Sequence, residues 1–204
     1  MKTTVQFNGS VPALPAASTV SFLLALALML AGSSAFAQYN WKSVTIKGGG
    51  FVTGVITHPN APGVVYCRTD IGGAYRWNPT NNSWIPLQDF AVNNNMHGVE
   101  SLALDPSDSN RLYIAASRGS PSVLLVSTNR GATFSTFTPP FSLDGNAEGR
   151  SNGDRMAVDP NLNNILFYGT RNNGVWKSVN FGASWTKVNS FPVNTTANGV
   201  GMVF

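Results

Sequence analysis

Beyond residue 50 the chain alternates short apolar runs with clusters of Asn, Gly, Pro, Asp and Ser. No stretch after residue 38 keeps the 3.6-residue apolar period of an amphipathic helix. Gly54-Val-Ile-Thr57, Val64-Val-Tyr66, Ser101-Leu-Ala-Leu104, Arg111-Leu-Tyr113, Met156-Ala-Val158 and Ile165-Leu-Phe167 read as short strands bounded by turn formers. The steps His58-Pro59, Asp105-Pro106 and Asp159-Pro160 each end a strand, because proline has no N–H for a ladder and pre-sets a turn.

These segments repeat. The three prolines are spaced by 47 and 54 residues, and an aromatic follows each by seven: Tyr66, Tyr113 and Phe167. Periods of this length with several strands per unit are the mark of propeller blades. The pattern predicts an all-β chain with repeat units near 51–90, 98–140 and 150–190 and the start of a fourth at 199.

The second half of the unit carries a sharper template. Ser127-Thr-Asn129-Arg-Gly131-Ala-Thr133-Phe134 and Ser178-Val-Asn180-Phe-Gly182-Ala-Ser184-Trp185 match position for position. They resemble the Asp-box, Ser-x-Asp-x-Gly-x-Thr-Trp, with Asn in place of Asp. An Asn side chain can bond the N–H groups of its own turn, Gly supplies a positive φ, and the aromatic packs under the hairpin. The first unit keeps only the aromatic end, with Trp77 and Trp84 at the spacing of Ser178 and Trp185. Such turns are structural and carry no chemistry.

The N-terminal part follows other rules. Val20–Ala31 is an unbroken apolar run, and Ala35-Phe-Ala37 is a small-x-small cleavage site. The run is too short to span a bilayer and fits a signal peptide over residues 1–37, so the mature domain, 38–204, is expected to be secreted, with no membrane span. Removing the leader leaves 167 residues, about three blades where closed propellers use four to eight. The chain is therefore expected to be part of a longer protein. A short open β-array, or blades completed by another chain, stays open at this point, as does the non-folding product of a truncated gene.

Charge adds exclusions. Only 11% of residues are charged, and the net charge of +4 has no basic cluster behind it, so nucleic acid is not an expected partner. Cys67 is the single cysteine and lies in a strand, which reads as a small buried apolar residue. No His/Cys cluster, EF-hand or HExxH motif is present, and no metal or other cofactor is expected. Lys47-Gly-Gly-Gly50 leads into a strand and is not a phosphate loop. Asn81-Asn-Ser83 and Asn194-Thr-Thr196 are glycosylation sequons.

Nine carboxylates remain as chemistry. Asp105 and Asp159 share one turn position and read as scaffold. Asp70 lies four residues past Tyr66, where the other units carry Ser117 and Arg171, so the repeat does not demand an acid there. It precedes Ile71-Gly72-Gly73, whose glycines allow close approach of a ligand or of another backbone. A turn cap and a functional carboxylate are both open for Asp70. Trp41, Trp77, Trp84, Trp176, Trp185, Tyr39, Tyr75 and Tyr168 could stack on sugars, but most sit at repeat positions and read as core, with Tyr75 and Trp176 equivalent. Arg150, Asp154 and Arg155 flank a Gly-rich loop whose salt bridges would explain them.

The segments Trp41-Lys-Ser-Val-Thr-Ile-Lys-Gly-Gly-Gly-Phe-Val-Thr-Gly54 and Tyr66-Cys-Arg-Thr-Asp-Ile-Gly-Gly-Ala-Tyr-Arg-Trp77 resemble the N-terminal region of glycoside hydrolase family 74, the xyloglucanases. Leu102-Ala-Leu-Asp-Pro106, Gly149-Arg-Ser-Asn-Gly-Asp-Arg-Met-Ala-Val-Asp-Pro160 and Gly174-Val-Trp-Lys-Ser178 extend the match. The resemblance implies two seven-bladed propellers facing across a cleft, of which this chain would hold about three blades of the first. It implies xyloglucan or a related β-glucan as substrate and inverting hydrolysis of its β-1,4-glucan backbone. Asp70 would be the general base, and the acid would come from a second propeller of the same polypeptide. The fragment alone would then be inactive. The rival class is a non-catalytic secreted or receptor-type binding propeller, similar to sortilin.

Overall fold

The computed structural model describes residues 45–191 and 199–201. The chain divides into a unit ending at Lys42, outside the described residues, and a second unit, Ser43–Phe204, to which everything below belongs. The leader, Tyr39, Trp41 and the sequon at Asn194 lie outside the described residues.

Among the described residues, strands form three four-stranded antiparallel meanders. Blade 1 holds β1 (Val52–Thr57), β2 (Val65–Thr69), β3 (Ala74–Asn78) and β4 (Ser83–Pro86). Blade 2 holds β5 (Val99–Asp105), β6 (Asp108–Ala116), β7 (Val123–Ser127) and β8 (Ser135–Phe137). Blade 3 holds β9 (Met156–Val158), β10 (Leu166–Gly169), β11 (Val175–Ser178) and β12 (Thr186–Lys187). A 3₁₀ turn, Asn94–His97, joins blades 1 and 2. This is the all-β, propeller-type architecture that the repeat predicts.

Strand register makes the repeat exact at the level of single residues. Thr57 pairs Val65, Leu104 pairs Leu112, and Val158 pairs Leu166. Counting on from these pairs, Asp70, Ser117 and Arg171 occupy one position. Cys67 pairs Tyr75 and Tyr168 pairs Trp176, so Tyr75 and Trp176 are equivalent, as the spacing predicts.

The core lies between blades, and alternation along blade 2 divides it. Leu102, Leu112, Ile114, Ala116 and Leu125 pack with Val64, Tyr66, Ala74 and Leu87 of blade 1. Their neighbours Ala103, Tyr113, Ala115, Leu124 and Val126 pack with Met156, Val158, Leu166 and Tyr168 of blade 3. Side chains of successive strand residues point to opposite faces, and both faces of blade 2 are covered, which is why β7 is apolar from Val123 to Val126. Each Leu or Ile so buried contributes about 1.5–3 kcal/mol. Phe141 stacks on Tyr168 at 4.8 Å and meets Trp176 and Trp185, each at 5.5 Å, so these aromatics serve the core.

The Asn templates build the predicted turns. Arg130 and Gly131 have φ of 59° and 83°, and Ala132 N donates to Asn129 O at 3.2 Å, as in a type I′ turn. Asn129 Oδ1 accepts from Thr133 N at 2.9 Å, and its Nδ2 donates to Thr133 Oγ1 at 2.8 Å. Ser127 Oγ accepts from Gly131 N at 2.8 Å. Asn180, Gly182, Ser184 and Ser178 repeat the set. A Cβ on Gly131 would meet Leu87 of blade 1 at 2.9 Å, so each turn also plugs the preceding blade.

The proline corners stitch adjacent blades together. Asp105 Oδ1 accepts from Ser107 N at 2.9 Å and Asp108 N at 3.2 Å, and Asp159 Oδ1 accepts from Asn161 N at 2.9 Å. His58 fills the same role with its ring: Nδ1 accepts from Asn60 N at 3.1 Å. That leaves Nε2 as the donor, and it reaches the Asp105 carbonyl at 2.8 Å. Asn163 of blade 3 donates to Asp105 Oδ2 at 2.9 Å from the other side.

Candidate active site

Asp70 follows β2 directly, and its residue is 5% exposed. Its backbone N–H donates to Phe51 O at 3.1 Å, and its Oδ1 accepts from Phe51 N at 2.8 Å. Its Oδ2 accepts from Arg150 Nε at 2.9 Å. The carboxylate is thus fixed from two sides by single bonds. A carboxylate offers about four acceptor sites, so these two bonds leave about two unfilled.

The glycines around it now have a structural reason. A Cβ on Gly72 would overlap the carbonyl oxygen of Gly49, so the 48–50 strip runs directly against Asp70-Ile71-Gly72. The close approach is by backbone. A side chain at Gly50 would sit 2.8 Å from Asp70 Oδ1. Thr69 tightens the loop by accepting from Gly72 N at 2.8 Å and donating to Gly73 O at 2.9 Å. Thr170 makes the same pair of bonds in blade 3, to Asn173 N and Gly174 O. Blades 1 and 3 therefore share the loop, and they do not share the acid at its second position: there blade 3 carries Arg171.

Arg150 reaches Asp70 because a buried arginine holds its loop. Arg68, wholly buried, donates from Nη1 to Arg150 O at 3.1 Å, from Nη2 to Gly153 O at 3.0 Å and from Nε to Asp154 Oδ1 at 2.9 Å. Thr53 Oγ1 accepts from Arg68 Nη1 at 2.7 Å. Asp154 Oδ1 also accepts from Leu102 N at 2.9 Å. The 148–155 segment is thus a bridge from blade 3 to blades 1 and 2. Arg150, Asp154 and Arg155 do form salt bridges, and each reaches a residue of a neighbouring blade: Asp70, Arg68 and Glu100.

A second cluster lies on blade 2. Glu100, 2% exposed, meets Arg171 Nε at 2.6 Å and Arg155 Nε at 3.3 Å. Tyr168 donates its hydroxyl to Glu100 Oε2 at 3.1 Å. Burial first, and the Glu100 charge second, hold that phenol well above its ordinary range. Sequence reasoning missed this cluster. Its signal was available: Glu100 stands inside a strand beside apolar residues, where an unpaired acid is not tolerated.

It also missed the surface beside Asp70. Phe51 and Ile71 are 57% and 40% exposed. They flank the carboxylate and form an apolar rim, while Trp77, Trp84, Trp176 and Trp185, read from the repeat as core, are half-buried. Cys67 is wholly buried, and burial pushes its thiol up to about 12, so it is no nucleophile. The His97 ring reaches Gln88 O at 3.2 Å through Nε2. Among the described residues no group of three or more His, Cys, Asp or Glu could hold a metal ion, and no helix is long and apolar enough to cross a membrane.

Blades of antiparallel strands, inter-blade cores and a carboxylate fixed at a strand end define a propeller-class protein with its candidate chemistry on the blade rim. No family model matches the chain. Individual proteins do. It is 45% identical over 190 residues to a probable oligoxyloglucan-reducing end-specific xyloglucanase of Neosartorya fischeri, covering 89% of this chain and 23% of that protein. It is 51% identical over 164 residues to a xyloglucanase of a Paenibacillus species, covering 76% of this chain and 16% of that protein. The crystal structure of the family 74 xyloglucanase of Xanthomonas campestris superposes with a TM-score of 0.68 at 47% identity, over 76% of this chain and 23% of that one. Over the length it shares with these proteins, the chain belongs to glycoside hydrolase family 74. It spans about a fifth of the length of the curated relatives it matches.

Proposed function

We propose that this chain is the part of a secreted xyloglucan hydrolase that carries the general base, Asp70. The observation behind this is the setting of Asp70. At a repeat position filled by Ser117 and Arg171 elsewhere, an acid is clamped by Phe51 N and Arg150 Nε beside an exposed apolar rim. Inversion requires one carboxyl to take a proton from water as that water attacks the anomeric carbon. A second carboxyl, about 6.5–9.5 Å away, protonates the departing glycosidic oxygen. Asp154 and Glu100 are committed to arginines. The acid is assigned to a second propeller of the same polypeptide.

In this reading residues 1–37 are the signal peptide, and 38–204 begin the first propeller. Arg150 orients the base, and Phe51 and Ile71 face the glucan. The low charge suits a neutral polymer. The test uses the native secreted protein. Its intact mass, with peptide sequencing past Phe204, should exceed 167 residues several-fold, and it should release oligosaccharides from xyloglucan. Asp70→Ala should lower kcat at least about a hundredfold with folding retained. Turnover near that of the native enzyme in that variant would remove Asp70 from the mechanism. A mass matching 38–204 alone would remove catalysis.

A further inference from the structure

All nine carboxylates of the chain lie among the described residues. Arg68, Arg111, Arg150, Arg155 and Arg171 each have one within 4.0 Å. Arg76, Arg118 and Arg130 do not. Two of those three line a single cavity. It has a volume of about 340 Å³ and opens at the junction of blade 1 with the Asn129 turn of blade 2. Its walls include Arg76, Arg130, Trp77, Asn78, Pro62 and Pro79.

The two cations are held together by the fold. Arg76 Nη1 donates to the backbone carbonyl of Arg130 at 2.8 Å, and Arg130 Nη2 donates to Ser109 Oγ at 2.9 Å. Each guanidinium has five N–H donors, so most remain unused. Both cations act on one point, the hydroxyl of Tyr66: burial raises that phenol, and both arginines pull it back. Asn78 Oδ1 is taken by Thr80 N at 3.0 Å, which leaves its amide N–H groups to donate. Like charges gathered without an acid are relieved by an anion, and guanidinium groups match the two oxygens of a carboxylate. The apolar wall of Trp77, Pro62 and Pro79 suits a ring attached to that anion better than a bare ion, and the volume suits one or two pyranose units.

We propose that this cavity binds the carboxylate of an acidic sugar, with Arg76 and Arg130 on the anionic group and Trp77 against the ring. The site is distinct from Asp70 and independent of the proposed hydrolysis.

The experiment is a titration of the full chain, followed by NMR or calorimetry, with galacturonic acid and its trimer, with galactose, and with inorganic phosphate. The acidic sugar should bind, galactose should not, and affinity should fall with added salt. Arg76→Gln, at a half-buried position, and Arg130→Gln, at an exposed one, should each weaken it about tenfold. Trp77→Leu should weaken the sugar and not phosphate. Equal binding of galactose, or no loss in either arginine variant, would overturn the site. Phosphate binding as tight as the trimer, unmoved by Trp77→Leu, would overturn the sugar and leave an inorganic anion site. If Trp77→Leu fails to fold, the arginine variants and the galactose control decide.

Discussion

Asp70 and Cys67 sit three residues apart on one strand and its end, and their surroundings assign them opposite fates. Asp70 keeps free lone pairs beside an exposed rim, whereas the Cys67 thiol is enclosed, which raises it from 9.0 to about 12. A thiol raised in the folded state contributes stability below pH 9, lost as pH climbs toward 12, because only the unfolded chain ionises in that window. Urea unfolding between pH 9 and 12 should therefore show stability falling by up to about 1.4 kcal/mol per pH unit from this group. Cys67→Ala should flatten that part of the slope, and an unchanged slope would mean that the thiol does not contribute. Thiol reagents should leave the folded protein unlabelled at neutral pH. The sequence could mark Asp70 as an acid the repeat does not require. It could not name Arg150 as its partner, because 80 residues and two blade boundaries separate them. Nor could it show Phe51 exposed, since an apolar residue opening a strand reads as core until its neighbours are placed.

The elements were the most legible part. Alternation, proline corners and the Asn template all belong to local chemistry, which a short stretch of sequence contains in full. The equivalence of Tyr75 with Trp176 needs only counting. What counting missed is that each Asn turn also serves the blade before it, because Gly131 touches Leu87. Gly131→Ala should consequently cost more than an ordinary turn substitution. It strains a φ of 83° and crowds Leu87, so a loss above about 1 kcal/mol is expected in thermal unfolding. Asn129→Ala removes the bonds to Thr133 and should cost about 1–2 kcal/mol. Asn129→Asp keeps the acceptor to Thr133 N and should be nearly neutral. Equal losses in the two Asn129 variants would show that Nδ2, not Oδ1, carries the turn.

Across the whole molecule, polar side chains tie together blades that apolar contacts press together. Arg68 is the clearest case, buried in blade 1 and bonded to three residues of the 150–154 loop. Arg68→Met should cost about 3–5 kcal/mol, since it leaves Asp154 without its cation and frees the loop. On the proposed role of Asp70, the same change in the native protein should lower kcat on xyloglucan more than it raises KM, because Arg150 loses its aim at Asp70. A stability loss with kcat intact would separate the loop from the chemistry. This level was the least legible in sequence, because salt-bridge partners between blades carry no spacing rule.

Blade 2, covered on both faces, has a consequence for how the protein comes apart. In heavy water the amides of residues 112–116 and 123–126 have no route to solvent short of global opening, while the half-exposed β4 strand can fray by itself. Deuterium uptake should begin in β4 and reach the middle sheet last. A protease acting on the native state would find its first cuts in the outer blades and leave the middle meander as the residual fragment.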